Sequence, residues 1–186
     1  MVLTAEQIKS NYDVLLNGIE KYVEGERKQQ FLDFYNKLDA EFGFTLDPCS
    51  SENNYKCDKH YTIKDNGLKQ DWSKDVVFMN PPYGREIKYW VEKAYKESLK
   101  GAVVVCLIPS RTDTSYWHDY IFPFAYDIRF VRGRIKFGKT EEIKYREQLN
   151  IFGIKEKKPI NLDSDLPAPF PSAIVIFKGE NNGSSK

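Results

Sequence analysis

The sequence predicts an α/β fold built on a parallel sheet, and three observations carry that prediction. Beyond residue 44, short apolar runs alternate with amphipathic ones. The run from Ala102 to Ile108 is apolar throughout, the mark of a strand buried on both faces. Between it and the run Val76 to Met79, the residues Ile87, Trp90, Val91, Ala94 and Tyr95 recur at helical spacing. Strand, helix, strand with buried central runs is the signature of a parallel α/β sandwich. Composition agrees: 186 residues, 41% hydrophobic and 30% charged, suit one globular domain and exclude a disordered chain or a disulfide-stapled scaffold.

Taken in order, the elements begin with helix. Thr4 and Gln7 form a capping-box pattern, and Ile8, Tyr12, Leu15, Ile19, Tyr22 and Val23 follow at helical spacing. Gly25 interrupts the pattern, and Phe31, Tyr35, Leu38 and Phe42 then continue an apolar stripe to a stop at Gly43. These aromatics are expected in a core, not around a ligand. Strands are expected over 44–46, ending at Asp47, and over 76–79, ending at Asn80. A helix with a lysine-rich outer face is expected over 87–99, and a strand over 102–108. Strands flanking Gly133 (128–132 and 134–137) and a last one over 172–177 close the set. Residues 139–169, rich in Lys, Glu, Asp and Pro, read as a long excursion from the sheet, and 179–186 as a polar tail. The expected organisation is a helical extension over 1–43 packed on the core, a main domain over 44–178 and a flexible tail.

No apolar run approaches the roughly 20 residues that span a bilayer, and the start, MVLTAEQIKSNY, has no apolar core of a signal peptide. A cytoplasmic protein without membrane contact is expected. Cys49, Cys57 and Cys106 are an odd set without CxxC spacing, which fits reduced thiols, and with only His60 and His118 beside them no metal site is expected. Lys and Arg number 28 against 27 Asp and Glu, so the chain is no histone-like polyanion binder, although a local basic face remains open.

The most specific chemical element is Asn80-Pro81-Pro82-Tyr83, directly after a predicted strand. Ligands of open α/β sheets bind beyond the carboxyl ends of strands. Two prolines stiffen the turn and remove backbone donors, leaving carbonyl oxygens. The Asn80 side chain and a prolyl carbonyl can then accept hydrogen bonds from one planar amine, while Tyr83 offers a ring on which a flat base stacks. Asp47 at the end of the first strand is a second candidate, with an N-cap or turn residue as the alternative. Arg111 and Asp113 follow the strand over 102–108 and face the same sheet edge, where Arg111 could hold a phosphate or a ligand's carboxylate bidentately; a solvent-facing loop pair is the alternative. Arg129, Arg132, Arg134, Lys136 and Lys139, interleaved with Phe130 and Phe137, make the densest basic run and a candidate track for phosphates; a solvated face is the alternative. Lys155-Glu-Lys-Lys158 is a weaker cluster.

Several stretches in one order resemble the phage-type DNA N-6-adenine-methyltransferase (Dam) family: Phe42-Gly-Phe-Thr-Leu-Asp-Pro-Cys-Ser50, Cys57-Asp-Lys-His-Tyr61, Gly67-Leu-Lys-Gln-Asp-Trp72, Phe78-Met-Asn-Pro-Pro-Tyr-Gly84, Leu107-Ile-Pro-Ser-Arg-Thr-Asp-Thr114, Gly133-Arg-Ile-Lys-Phe137 and Ala168-Pro-Phe-Pro-Ser172. The likeness runs from about residue 42 to 177. It implies a Rossmann-like class I methyltransferase sheet, mostly parallel with an antiparallel edge strand and helices on both faces. It further implies S-adenosylmethionine as cofactor, double-stranded DNA as partner, a bacterial or phage-infected cell as setting, and methyl transfer to adenine N6 on a flipped base. Catalysis would rest on Asn80, Pro81, Pro82 and Tyr83. The cofactor would be held by Asp47, Pro48, Cys49, Asn53, Asp71, Trp72 and Asn80, and DNA by Arg111, Arg129, Arg132, Arg134 and Lys136. A glutamine amide in a protein, an RNA base, or a non-catalytic nucleic-acid-binding role are the alternative readings.

Overall fold

The computed structural model describes residues 25–135 and 170–179, together with the backbone of two strands over 145–149 and 155–159. Two compact units divide the chain, Met1–Asn36 with Lys136–Pro169 and Lys37–Ile135 with Phe170–Lys186. The boundary expected at 43/44 therefore differs from this division, which places 37–43 with the sheet. In the first unit the strands β6 (Tyr145–Leu149) and β7 (Lys155–Pro159) pair antiparallel. The excursion thus contains a hairpin where composition predicted only loop, because its Lys- and Glu-rich strands carry too few apolar residues to betray a period of two. The helix expected before Gly25 and the tail beyond Gly179 lie outside the described residues.

Helix α1 is described over 25–42, helical from Gly25 itself. It ends as predicted at Gly43, whose φ of 67° lets its N–H reach Asp39 O at 2.7 Å; a side chain there would be strained. Six strands then form one sheet in the order β2-β1-β3-β4-β8-β5. Strands β1 (Leu46–Asp47), β2 (Lys59–His60), β3 (Val76–Met79) and β4 (Val103–Pro109) pair in parallel. Strand β8 (Ser172–Lys178) is antiparallel to both β4 and β5 (Asp127–Phe130), so the antiparallel pairing lies at one end of the sheet. This is the mostly parallel, Rossmann-like sheet that was expected. Strand β2, two residues long, carries no apolar run and was invisible in the sequence.

Alternation along the strands sorts the core. Val77 and Met79 of β3, Val104, Cys106 and Ile108 of β4, and Ala173, Val175 and Phe177 of β8 bury one face against Ile87, Trp90, Val91 and Ala94 of helix α2 (Ile87–Ser98). The opposite face carries Phe78, Val105, Leu107, Ile174 and Ile176, all buried. There Phe44, directly after α1, packs on Phe78 at 5.2 Å between ring centroids, while Phe42 stacks on Phe44. A fully buried Val, Ile or Leu stabilises by about 1.5–3 kcal/mol, so β4 and β8 anchor the sheet. Among the described residues no helix is long and apolar enough to cross a membrane.

Candidate active site

In the parallel part of the sheet the chain runs from β1 outward to β2, then returns to β3 and β4 on the other side. The reversal falls between β1 and β3, and the carboxyl ends of strands at such a switch point are where open α/β sheets bind ligands. Asp47 ends β1 and Asn80 follows β3, so the two predicted residues stand at this switch point.

Asp47 is 4% exposed. Its Oδ1 accepts the Cys49 N–H and its Oδ2 the Lys56 N–H, each at 3.1 Å, while its backbone oxygen takes the Tyr61 N–H at 2.9 Å. Burial raises the carboxyl above its ordinary value, and the two N–H donors offset that only in part. One carboxylate therefore organises the whole loop from Pro48 to His60. Ser50 fastens the same loop from the far side, since both its N–H and its hydroxyl donate to Tyr61 O. Gly67 permits the approach beneath: a Cβ there would stand 2.3 Å from Pro48 O. Ser50, Tyr61 and Gly67 were missed as parts of the site because their roles depend on contacts across 11 to 19 residues of chain; the only signal was their place in the family-like stretches.

The loop meets the Asn80 motif at Cys49, which lies beside the Asn80 backbone N–H. Burial and the charge of Asp47 push the Cys49 thiol well up, so it remains a protonated thiol and no nucleophile. Pro81 is buried and Pro82 exposed, with Asn80 half-buried between strand and turn. The Tyr83 hydroxyl lies within bonding distance of Asn80 Oδ1 (3.1 Å) and Leu107 O (3.3 Å), while the residue stays 37% exposed. The hydroxyl end is thus anchored to β4 and the ring retains open surface. Burial raises the phenol pKa far enough to keep it protonated at any ordinary pH. Asn53 is exposed in a tight turn closed by the Asn54 N–H on Ser51 O, within the loop that Asp47 holds.

Asp71 and Trp72 require a correction. They precede β3 and so lie at the amino end of the parallel strands, the edge opposite Asn80. Asp71 is exposed and accepts the N–H and hydroxyl of Ser73. Trp72 is fully buried, its indole N–H on Gly67 O (3.1 Å) and its ring stacked on Trp90. Its backbone N–H is held by Glu97 Oε2 at 2.9 Å, at the carboxyl end of α2. Neither ring face is open to a ligand, so Trp72 is a core residue. Their place before a parallel strand already puts both residues at the amino edge; what only packing shows is that the Trp72 ring is buried against Trp90.

The basic residues separate in the same way. Arg111 follows β4 at the carboxyl edge, exposed, its guanidinium 4.8 Å above the Phe170 ring, and Ser110 beside it donates twice to Pro171 O. Arg129 is spent within the protein: its Nη1 and Nη2 pair with the two Glu41 oxygens at 2.7 and 2.8 Å, and its Nε with Asp127. Carboxylates on three of its nitrogens raise its pKa further and leave it no fork for a phosphate. Arg132 and Arg134 are exposed but not on a strand: β5 ends at Phe130 and Gly133 turns the chain with φ of 80°. The expected strand face of alternating cations is therefore absent over 132–135. Lys136, Lys139 and Phe137 lie outside the described residues, as do the side chains of 155–158.

The fold is an α/β sheet with its switch point between β1 and β3, and Asp47 and the Asn80-Pro-Pro-Tyr83 turn stand at the carboxyl edge there. The chain belongs to the DNA N-6-adenine-methyltransferase (Dam) family, whose model matches residues 25–155. It is 33% identical over 82 residues to the DNA N-6-adenine-methyltransferase of Escherichia phage T1, covering 43% of this chain and 34% of that protein. It is also 44% identical over 53 residues to the putative methyltransferase YfdM of Escherichia coli K12, covering 25% of this chain and 58% of the relative. The chain thus spans a third to somewhat over half the length of these curated relatives. A solved O-methyltransferase of Thermotoga maritima, described as dependent on S-adenosylmethionine, is similar only distantly, at a TM-score of 0.34 and 11% identity over 65% of this chain and 40% of that one.

Proposed function

We propose that this protein transfers a methyl group from S-adenosylmethionine to the exocyclic N6 of adenine in double-stranded DNA. The observation that supports this most is the placement of Asn80 beside Asp47 at the switch point, with the Tyr83 ring partly open above it. Membership of the Dam family supports the same acceptor.

The residues suit the cofactor. Asp47 is a buried carboxylate whose oxygens each retain a lone pair after accepting one backbone N–H, so it can take a hydroxyl or ammonium of the cofactor. Pro48, Cys49 and Asn53 line the loop that it shapes. When bound, S-adenosylmethionine supplies an electrophilic methyl group on a sulfonium sulfur. Asn80 Oδ1 and the Pro81 carbonyl oxygen accept the two N–H bonds of the adenine amine, which raises electron density on N6 and fixes the direction of its lone pair. Tyr83 stacks on the extruded base while its hydroxyl steadies the Asn80 carboxamide. The N6–CH3 bond would form as the S–CH3 bond breaks and its electron pair stays on the departing thioether. The nitrogen, then cationic, would release a proton to solvent, so no dedicated base is needed and alignment and electrostatics do the rest. Arg111, braced on Phe170, and the exposed Arg132 and Arg134 serve as phosphate contacts at the same edge.

The test is transfer of labelled methyl from S-adenosylmethionine to adenine-unmethylated DNA, with Asn80→Ala alongside and the nucleosides resolved afterwards. Label in N6-methyladenine that the variant loses is the expected result. Cofactor binding without label in any DNA would overturn the DNA reading and direct the search to protein or RNA acceptors. Failure to bind cofactor with DNA binding retained would mark a non-catalytic module.

A further inference from the structure

An exposed phenylalanine stands on the substrate side of the same edge. Phe130 ends β5, is 64% exposed, and lies parallel to Trp117 with 6.3 Å between ring centroids and 6° between planes. Trp117 is itself fully buried, its indole N–H directed to Pro109 O at 3.3 Å, so the platform beneath Phe130 is rigid. The backbone is pinned as well, because the Val131 N–H donates to Ser172 O at 3.0 Å. An aromatic ring held this firmly and left in solvent, with exposed Arg132 and Arg134 two and four residues on, has the makings of a nucleobase-stacking group within a phosphate-binding surface.

The sheet register locates it relative to the acceptor turn. Met79 pairs with Cys106, Cys106 with Val175, and Val175 with Ile128. One step further out Leu107, Ile174 and Arg129 share a row, and next Ile108, Ala173 and Phe130. Asn80 and Pro81 follow one and two residues beyond the last β3 pair, Met79 with Cys106. Phe130 therefore stands level with the acceptor turn, three strands away, or ~14 Å at ~4.8 Å per strand. That separation is comparable to the ~12 Å width of a DNA major groove. A duplex lying along the edge would touch Phe130 while one of its bases is drawn out to Asn80.

Resting on the adenine reading above, we propose that Phe130 inserts into the base stack of duplex DNA beside the target adenine and fills the gap that the extruded base leaves. Apolar side chains wedged between base steps in this way offset the unstacking that extrusion costs. Phe130 is then a positioning residue for flipping, without contact to the reacting atoms.

The experiment compares wild type, Phe130→Ala and Phe130→Leu on two duplexes carrying the target adenine, once the site has been mapped by sequencing the methylated product. In one duplex the adenine faces thymine; in the other it faces an abasic site, so that extrusion is already easy. Phe130→Ala should lower kcat/KM roughly 10-fold on the paired target, within the range for one base–aromatic contact, and come within about 2-fold of wild type on the abasic one. Phe130→Leu, still bulky, should lie near wild type on both, and cofactor affinity should be unchanged throughout. An equal loss on both duplexes, or no loss on either, would overturn the proposal. A wild type that binds cofactor yet yields no methylated adenine to map in any DNA would refute the adenine reading itself, and the assignment of Phe130 with it.

Discussion

The Tyr83 hydroxyl sits 3.1 Å from Asn80 Oδ1 and 3.3 Å from Leu107 O, tying the acceptor carboxamide to the neighbouring strand. In the proposed reaction Asn80 Oδ1 would keep one lone pair for the incoming amine, so the tyrosine would aim the carboxamide without consuming it. Asn80→Ala should reduce methyl transfer by about 100-fold or more, the scale of losing one polar group of a transition-state site. Tyr83→Phe keeps the ring and loses the anchor; about 10-fold in kcat is expected, with cofactor affinity unchanged. Tyr83→Ala should be worse than Tyr83→Phe, and equality of the two would show that the ring plays no part.

Because burial holds the Tyr83 phenol far above neutrality, it contributes no limb to the pH–rate profile in the working range. An alkaline limb below pH ~10 that disappears in Tyr83→Phe would contradict this.

Asp47 and Glu97 should bend the stability curve in opposite directions. Burial raises the Asp47 carboxyl above 3.8, so its contribution is full below that pH and is lost as pH rises through the folded value. At Glu97 burial also raises, but Lys100, Lys93 and the Trp72 N–H together prevail, so its pKa is lowered from 4.5. Its contribution is full above pH 4.5 and is lost as pH falls through the folded value. In melts from pH 3 to 8, Asp47→Asn should gain on wild type as pH rises, whereas the deficit of Glu97→Gln should shrink as pH falls below 4.5. Parallel curves for either pair would refute the corresponding assignment.

Gly67→Ala places a methyl group 2.3 Å from Pro48 O, a backbone atom that cannot rotate away. A loss of about 1–3 kcal/mol, with weaker cofactor binding because the Asp47 loop is displaced, is expected from thermal melts and calorimetry. Normal cofactor affinity in a stable variant would show that the loop tolerates the shift.

Arg129 and the pair Arg132 and Arg134 should separate in DNA binding. Arg129 already holds Glu41 and Asp127, all partly exposed, so Arg129→Ala should cost at most about 1 kcal/mol of stability and leave DNA affinity nearly intact. The double change Arg132→Ala with Arg134→Ala should reduce the slope of log K against log salt by about 2, one phosphate contact for each. A salt titration in which Arg129→Ala moved the slope instead would reverse the assignment.

By itself the sequence determined the local features. Val76 to Met79, Ile87 to Ser98 and the long apolar β4 and β8 announce themselves because burial on one or both faces imposes its own period on neighbouring residues. The Gly43 stop and the Asn80-Pro-Pro-Tyr83 turn were likewise legible, since glycine and proline restrict the backbone within one or two residues. What only the tertiary structure decided is long-range: the two-residue β2 and the lysine-rich hairpin β6–β7, which have no apolar signal and exist through pairing. The same holds for Asp47 as the organiser of a loop rather than a lone acid, for Trp72 in the core at the far edge, and for Arg129 neutralised by Glu41 from a distant helix. A side chain's chemistry is written in its residue type, but its availability depends on which partners the packed sheet brings beside it.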